Sequence, residues 1–180
     1  MKTDIELIVS TSTNLLRWAS YQSKINIVKP VLLNIGDVIN EVIVIETPFI
    51  FKKDIRIITD VPEELITLFD KEQFGIVIRN LISNAVKFSY PKGQIDIKAR
   101  LLDETIELTV EDYGIGMPND ILNNLFVVSE KTTRLGTEDE KGTGLGLLLI
   151  KNYIEENGGT IFITSIDGKG TCITLILPNA

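Results

Sequence analysis

The sequence predicts an α+β fold, and three stretches carry that prediction. Residues 71–88 place Phe74, Val77, Ile78, Leu81, Ile82, Ala85 and Val86 on one helical stripe. Residues 95–110 alternate apolar and polar side chains around a turn at Asp103-Glu104, the pattern of an antiparallel hairpin. Residues 160–177 read as two more strands flanking Asp167-Gly168-Lys169-Gly170. A chain of 180 residues with 44% hydrophobic side chains has material for one real core.

Taken in order, residues 1–28 read as one helix. Met1, Ile5, Ile8, Ser12, Leu15 and Ala19 form a heptad seam with one polar member. Two readings fit it: an amphipathic helix lying on its own domain, or one helix of a bundle whose partners are elsewhere. Lys29-Pro30 ends it. Asn34 then caps a second helix over 35–46, which the following Thr47-Pro48 is expected to stop. Short strands are expected over 55–59 and 65–69. Asp70 with Gln73 three residues on forms a capping-box-like start for the helix over 71–88. On that helix Asn80, Asn84 and Lys87 stand at i, i+4 and i+7, so their side chains line up along one face.

In the hairpin, Ile95, Ile97, Ala99 and Leu101 face one way and Asp96, Lys98 and Arg100 the other. Its second strand delivers the chain to Asp112-Tyr113-Gly114-Ile115-Gly116. Residues 119–141 are polar and mixed, a length that inside a compact domain marks a lid or a disordered segment. Gly142-Thr143-Gly144-Leu145-Gly146 follows and opens a helix to about Asn157, with Gly158 suited to its C′ position. Strands are expected over 160–165 and 171–177.

Composition removes several chemistries. The chain has no histidine and one cysteine, Cys172. That rules out an internal disulfide, a cysteine zinc site, and catalysis or metal binding through histidine. A net charge of −7 argues against broad non-specific nucleic-acid binding. It leaves room for a small phosphorylated ligand held by local donors and a metal. No apolar run approaches the roughly 18 residues of a membrane span, and no signal-like block follows Met1. A soluble, cytoplasmic domain is expected.

Two common phosphate motifs fail. A Walker A loop would need Gly at 164, which is Thr164, and Ser or Thr after Lys169, where Gly170 stands. A dinucleotide fingerprint would need a third Gly at 119 or 147, which are Asn119 and Leu147. What remains is N-x-x-x-N-x-x-K-F on a helix, D-x-G-x-G after a strand, a long polar segment, and G-x-G-x-G opening a helix. Each piece alone is weak; all of them in this order are specific.

The segments NLISNAVKF (80–88), EDYGIGM (111–117) and EKGTGLGL (140–147) resemble the N, G1 and G2 boxes of sensor histidine kinases. These belong to the ATPase superfamily that also holds gyrase, the heat-shock chaperone ATPases and the mismatch-repair ATPases. The resemblance covers about residues 34–178 and implies a two-layer α/β sandwich of the Bergerat type. Its mixed, mostly antiparallel sheet is backed by helices, with nucleotide between helices and lid. Residues 1–28, with NLLRWASYQSKI (14–25), look like the second helix of the dimerisation and phosphoacceptor domain, leaving 31–180 as the catalytic ATP-binding domain.

The resemblance also implies roles. Asp112 would accept from the exocyclic amine of adenine, which agrees with its chemistry, since guanine presents a carbonyl there. Gly114 and Gly116 would let backbone approach the base. Phe88 would flank the purine, or serve as a core residue at a helix end. Asn84 would ligate Mg²⁺, and Lys87 would reach phosphate. Gly142, Thr143, Gly144, Leu145 and Gly146 would turn backbone amides and a helix N-terminus toward the phosphates. Lys131, Arg134 and Lys141 are cations of the lid, over about 123–141, that would contact phosphate or simply stay solvated. Phe126 fits the leading Phe of the family's F box, and no second Phe follows at the usual interval.

Gyrase-like and chaperone-like members carry a water-activating Glu four residues before the metal-ligating Asn, and the anti-sigma serine kinases share it. Asn80 stands there and cannot act as a base. The resemblance therefore implies a kinase that holds ATP·Mg²⁺ and offers its γ-phosphate to a histidine. That histidine lies on a helix expected before Met1. The expected partners are ATP, the phosphoacceptor domain, a response-regulator receiver domain, and a second copy in a parent homodimer that is membrane-anchored or free. A slow ATPase and a nucleotide-binding interaction module of the same superfamily are the alternatives.

Overall fold

The computed structural model describes residues 28–126, 134–140, 142 and 144–180. The helix expected over 1–28 lies, but for its last residue, outside them. The fold is the expected two-layer sandwich, with helices on one face of a mixed, mostly antiparallel sheet.

Among the described residues the first element is β1 (Pro30–Asn34), a strand that the sequence did not announce. It is short, starts on Pro30 and exposes Val31 and Leu32, so it carries no clean alternation. It pairs antiparallel with β3 (Ile66–Asp70) in a separate two-stranded ribbon. Asn34 caps α1 (Ile35–Lys52) as expected, its Oδ1 accepting from the Asp37 amide at 3.1 Å. The helix does not stop at Glu46; it runs through Pro48 to Lys52. Proline removes one intrahelical donor and leaves the Val44 carbonyl without it. Val44 is 72% exposed, so water can take that carbonyl, and Thr47 Oγ1 donates to the neighbouring Ile43 carbonyl at 2.9 Å.

A five-stranded sheet follows the order β2-β4-β5-β7-β6. Its members are β2 (Arg56–Asp60), β4 (Gln94–Leu102), β5 (Thr105–Asp112), β6 (Thr160–Ile166) and β7 (Gly170–Pro178). β2 runs parallel to β4, and the other pairs are antiparallel. Between β3 and β4 lies α2 (Lys71–Phe88), and α4 (Gly146–Glu156) precedes β6. A short α3 (Asn119–Leu122) sits in the polar segment, where four residues were too few for any periodicity to show.

The α2 stripe is buried as read, from Phe74 to Val86. It packs on the inward row of the sheet, which includes Ile95, Ile97, Leu108, Val110, Ile173 and Leu175. Asp70 caps α2 through Oδ1, accepting from the Glu72 and Gln73 amides. The reciprocal half of a capping box is absent: Gln73 turns to Glu156 and Asn157, and Asn157 Oδ1 accepts from the Asp70 amide instead. In β4 the alternation holds for Ile95, Ile97 and Ala99, but Leu101 is 52% exposed where the strand outruns the helices. No described helix is long and apolar enough to cross a membrane.

Candidate active site

The site lies where three chain features meet: the C-terminal half of α2, the turn after β5, and the start of α4. Register places its central acid. The period of two that buries Ile106, Leu108 and Val110 puts Asp112 on the same inward row, at the last position of β5. Asp112 is 7% exposed. Its Oδ1 accepts from the Gly114 amide at 2.9 Å. Burial pushes its carboxyl up from 3.8 to about 6, against the backbone hydrogen bonds from Gly114 and Thr171, with Glu111 adding to the rise.

The carboxylate borders an otherwise apolar pocket formed by Leu81, Ala85, Phe88, Val110, Met117, Ile121, Leu125, Leu147 and Ile173, with Asn84, Thr171 and Arg134 at its polar edges. Phe88 is half-buried and lines this pocket, so it is more than a core residue at a helix end. An apolar slot with one ionisable acceptor suits a flat heteroaromatic that donates from its edge.

Gly114 and Gly116 do permit close approach, and in this structure the approach is to the chain itself. A Cβ on Gly114 would run into the Phe88 carbonyl, and one on Gly116 into that of Ile166. Gly116 also has φ of 57°, where side chains are strained. The turn is thus wedged between the end of α2 and the β6–β7 turn, with Ile115 N donating to Phe88 O and Gly168 N to Ile115 O.

The polar face of α2 meets the start of α4. A Cβ on Gly146 would come 2.9 Å from Asn80 Oδ1 and 3.9 Å from Asn84 Nδ2, so glycine allows this contact. Asn80 is anchored by donating to Ile76 O at 2.8 Å. Leu145 is the α4 N-cap and supplies no side-chain cap. The first-turn amides and the positive end of the helix therefore lie close to the asparagines. Gly144 has φ of 72°. Lys87 Nζ donates to Arg134 O at 3.2 Å and would lie 2.6 Å from a Cβ on Gly142. Burial lowers the Lys87 pKa, Glu140 works to raise it, and Lys53 adds to the lowering.

Arg134 is drawn toward the D-x-G-x-G turn: its Nη1 donates to Gly116 O at 2.8 Å and lies 3.8 Å from Asp167. Phe126 lies under Lys151, whose Nζ is 4.7 Å from the ring centre. Lys131, Lys141 and Thr143 are outside the described residues. One residue at this site had no sequence signal: Lys53, at the end of α1, is 3% exposed and reaches the carbonyls that close α2. A lysine after an amphipathic helix reads as solvated, and only tertiary packing reveals otherwise.

Comparisons with known proteins place the fold in a family. The family of histidine kinase-, DNA gyrase B-, and HSP90-like ATPases matches residues 69–180. The sensor histidine kinase WalK of Bacillus subtilis (strain 168) is 33% identical over 130 residues, 71% of this chain and 21% of WalK. The sensor protein kinase WalK of Staphylococcus aureus is 33% identical over 129 residues, 70% of this chain and 31% of that protein. The chain thus spans less than a third of these curated relatives. Among solved structures, the catalytic domain of histidine kinase ThkA superposes with a TM-score of 0.72 at 24% identity, covering 84% of this chain and 96% of that one. Full-length ShkA in complex with AMPPNP gives 0.80 at 22% identity, covering 96% of this chain and 36% of ShkA. From the buried acid at the end of β5 to the glycine-opened α4, then, this chain belongs to the histidine kinase-, DNA gyrase B-, and HSP90-like ATPase family, as a catalytic domain of its histidine-kinase branch.

Proposed function

We propose that this chain binds ATP with Mg²⁺ and presents the γ-phosphate to a histidine outside it. The observation that carries the reading is Asp112: a buried carboxylate at the end of an apolar slot, one face of α2 away from the glycine-bearing start of α4. Its acceptor oxygen selects adenine over guanine, and Phe88, Val110 and Ile173 contact the base faces. The α4 amides, with Gly142, Gly144 and Gly146 clearing space around them, take the phosphates. Lys87, now held by a backbone carbonyl, exchanges that contact for phosphate oxygen, joined by the lid cations Lys131, Arg134 and Lys141.

Asn84 holds the metal. Among the described residues its carboxamide makes no hydrogen bond, and none of them forms a cluster of three or more His, Cys, Asp or Glu able to hold a cation. A neutral oxygen donor of this kind fits a hard cation that draws its remaining ligands from phosphate and water. When bound, Mg²⁺ neutralises phosphate charge and aligns the chain of phosphates. Asn80, tied to Ile76 O, gives water no base, so an oriented side-chain nucleophile is favoured over hydrolysis.

Residues 1–28 then form part of a dimerisation and phosphoacceptor domain and residues 31–180 the catalytic domain, in a cytoplasmic part of the parent. The phosphoryl group passes from the acceptor histidine to a receiver-domain aspartate. The test is transfer from γ-labelled ATP. The chain alone, having no histidine, stays unlabelled and releases little phosphate, while a histidine-bearing acceptor domain from the same parent gains acid-labile, base-stable label. Such label on this chain by itself, or rapid phosphate release lost in Asn84→Ala, contradicts the reading.

A further inference from the structure

Lys53 has a set of contacts that the nucleotide reading does not use. Its side chain is 2% exposed. Nζ donates to Lys87 O at 2.8 Å and Val86 O at 3.0 Å, which are final carbonyls of α2. Those carbonyls lack intrahelical partners and form the negative end of the helix, a natural seat for an ammonium. The same Nζ reaches Thr137 Oγ1 at 2.7 Å and Glu140 Oε1 at 2.6 Å. Both belong to the segment between the two glycine motifs.

That segment folds tightly around the ammonium. Gly136 N donates to Glu140 O at 2.9 Å and Glu138 N to Glu140 Oε2 at 2.8 Å. Thr137 N donates to Lys87 O at 3.2 Å, and Thr137 Oγ1 donates to Ser89 O at 2.6 Å while accepting from Lys53. Lys52 adds a pair with Glu138 at 2.8 Å, exposed enough to be worth little. Burial works to raise the Glu140 pKa, but the hydrogen bonds from Lys53 and two backbone amides hold it below its usual value, so its carboxylate is kept ionised.

We propose that Lys53 is a positioning residue: it clasps Thr137 and Glu140 to the end of α2 and so fixes the residues that meet the terminal phosphates. Two of those residues are direct neighbours of the clasp. Lys87, whose carbonyl Lys53 holds, sends its own Nζ to Arg134 of the same segment. Gly142 stands two residues beyond Glu140 and over the Lys87 ammonium. The base slot around Asp112 meets these contacts only at Arg134, on its polar edge. The inference rests on the proposed nucleotide site, and it divides that site into a base half that is indifferent to Lys53 and a phosphate half that depends on it.

The test compares adenosine with a non-hydrolysable ATP analogue plus Mg²⁺, titrated calorimetrically into the full chain and its Lys53→Met, Thr137→Val and Thr137→Ser variants. The analogue should bind Lys53→Met and Thr137→Val about tenfold more weakly, the scale of a lost hydrogen bond to a charged group. Adenosine should bind both within about twofold of wild type, and Thr137→Ser, which keeps the hydroxyl, should restore the analogue. Amide exchange at Thr137 and Glu138 should quicken in the two impaired variants. Because Lys53→Met removes a buried charge from a packed site, Thr137→Val carries the test if the lysine variant does not fold. Equal losses for both ligands, or no loss for the analogue, overturn the clasp. A wild-type chain that binds neither ligand overturns the proposed function itself, and the clasp with it.

Discussion

Titrating Asp112 should be visible in ligand affinity. In the folded chain its carboxyl is pushed from 3.8 to about 6, chiefly by burial. A carboxyl raised from 3.8 to about 6 is disfavoured in its ionised form by about 3 kcal/mol. The sign follows from proton binding. Between about pH 4 and about pH 6 the folded state holds more protons than the unfolded one, so the nucleotide-free chain loses stability as pH rises through this window. Ligand binding runs the other way. An adenine amine donates to the carboxylate, so adenosine selects the ionised form and its affinity grows with pH until about 6. Below that value it should fall about tenfold per pH unit. Adenosine is the right probe because it carries no phosphate of its own to titrate. Calorimetry across about pH 5 to about pH 8 should show the slope and the plateau. Asp112→Asn should flatten the profile and weaken the plateau by about 1.5–3 kcal/mol. A wild-type profile with no inflexion near 6, or a slope that survives in Asp112→Asn, refutes the reasoning.

Three further outcomes follow from other parts of the site. Asn84→Ala should abolish the Mg²⁺-dependent part of ATP-analogue binding and spare the metal-free part; equal losses with and without Mg²⁺, read by calorimetry, remove Asn84 from coordination. Tryptic cleavage after Arg134 should slow when an ATP analogue is bound, since this residue borders the base pocket and the phosphate side; identical digestion patterns count against a lid. Gly114→Ala would drive a Cβ into the Phe88 carbonyl, so denaturant unfolding should show a loss of about 1–3 kcal/mol, and an unchanged midpoint would contradict the wedged turn.

Periodicity made much of this legible. The 3.6-residue stripe of α2 and the two-residue alternation of β5 each fix which side chains face the core. The same counting puts Asn80, Asn84 and Lys87 on one helix face, while the inward position of Asp112 at the end of β5 comes from the structure. Local rules misled where solvent or tertiary contacts compensated. Thr47-Pro48 reads as a stop, yet the helix passes through it because the freed carbonyl is exposed. β1 exists because β3 offers it a partner, a fact with no trace in five residues that begin on proline. Gly114 and Gly116 read as room for a ligand and also turn out to be room for Phe88 and Ile166. Lys53 was invisible for the same reason as β1: its acceptors come from two distant segments, separated from it by 33 and 84 residues.

The central claim is an adenine-selective nucleotide site organised by Asp112, and one titration tests it most directly. Matched non-hydrolysable analogues of ATP and GTP, each with Mg²⁺, are titrated calorimetrically into the chain and into Asp112→Asn. The account predicts a single site for the ATP analogue on the wild-type chain. The GTP analogue, whose carbonyl would meet the Asp112 carboxylate acceptor to acceptor, should bind at least about tenfold more weakly, and that gap should shrink in Asp112→Asn. Equal affinities for the two analogues on the wild-type chain, or a gap that Asp112→Asn leaves unchanged, would contradict it.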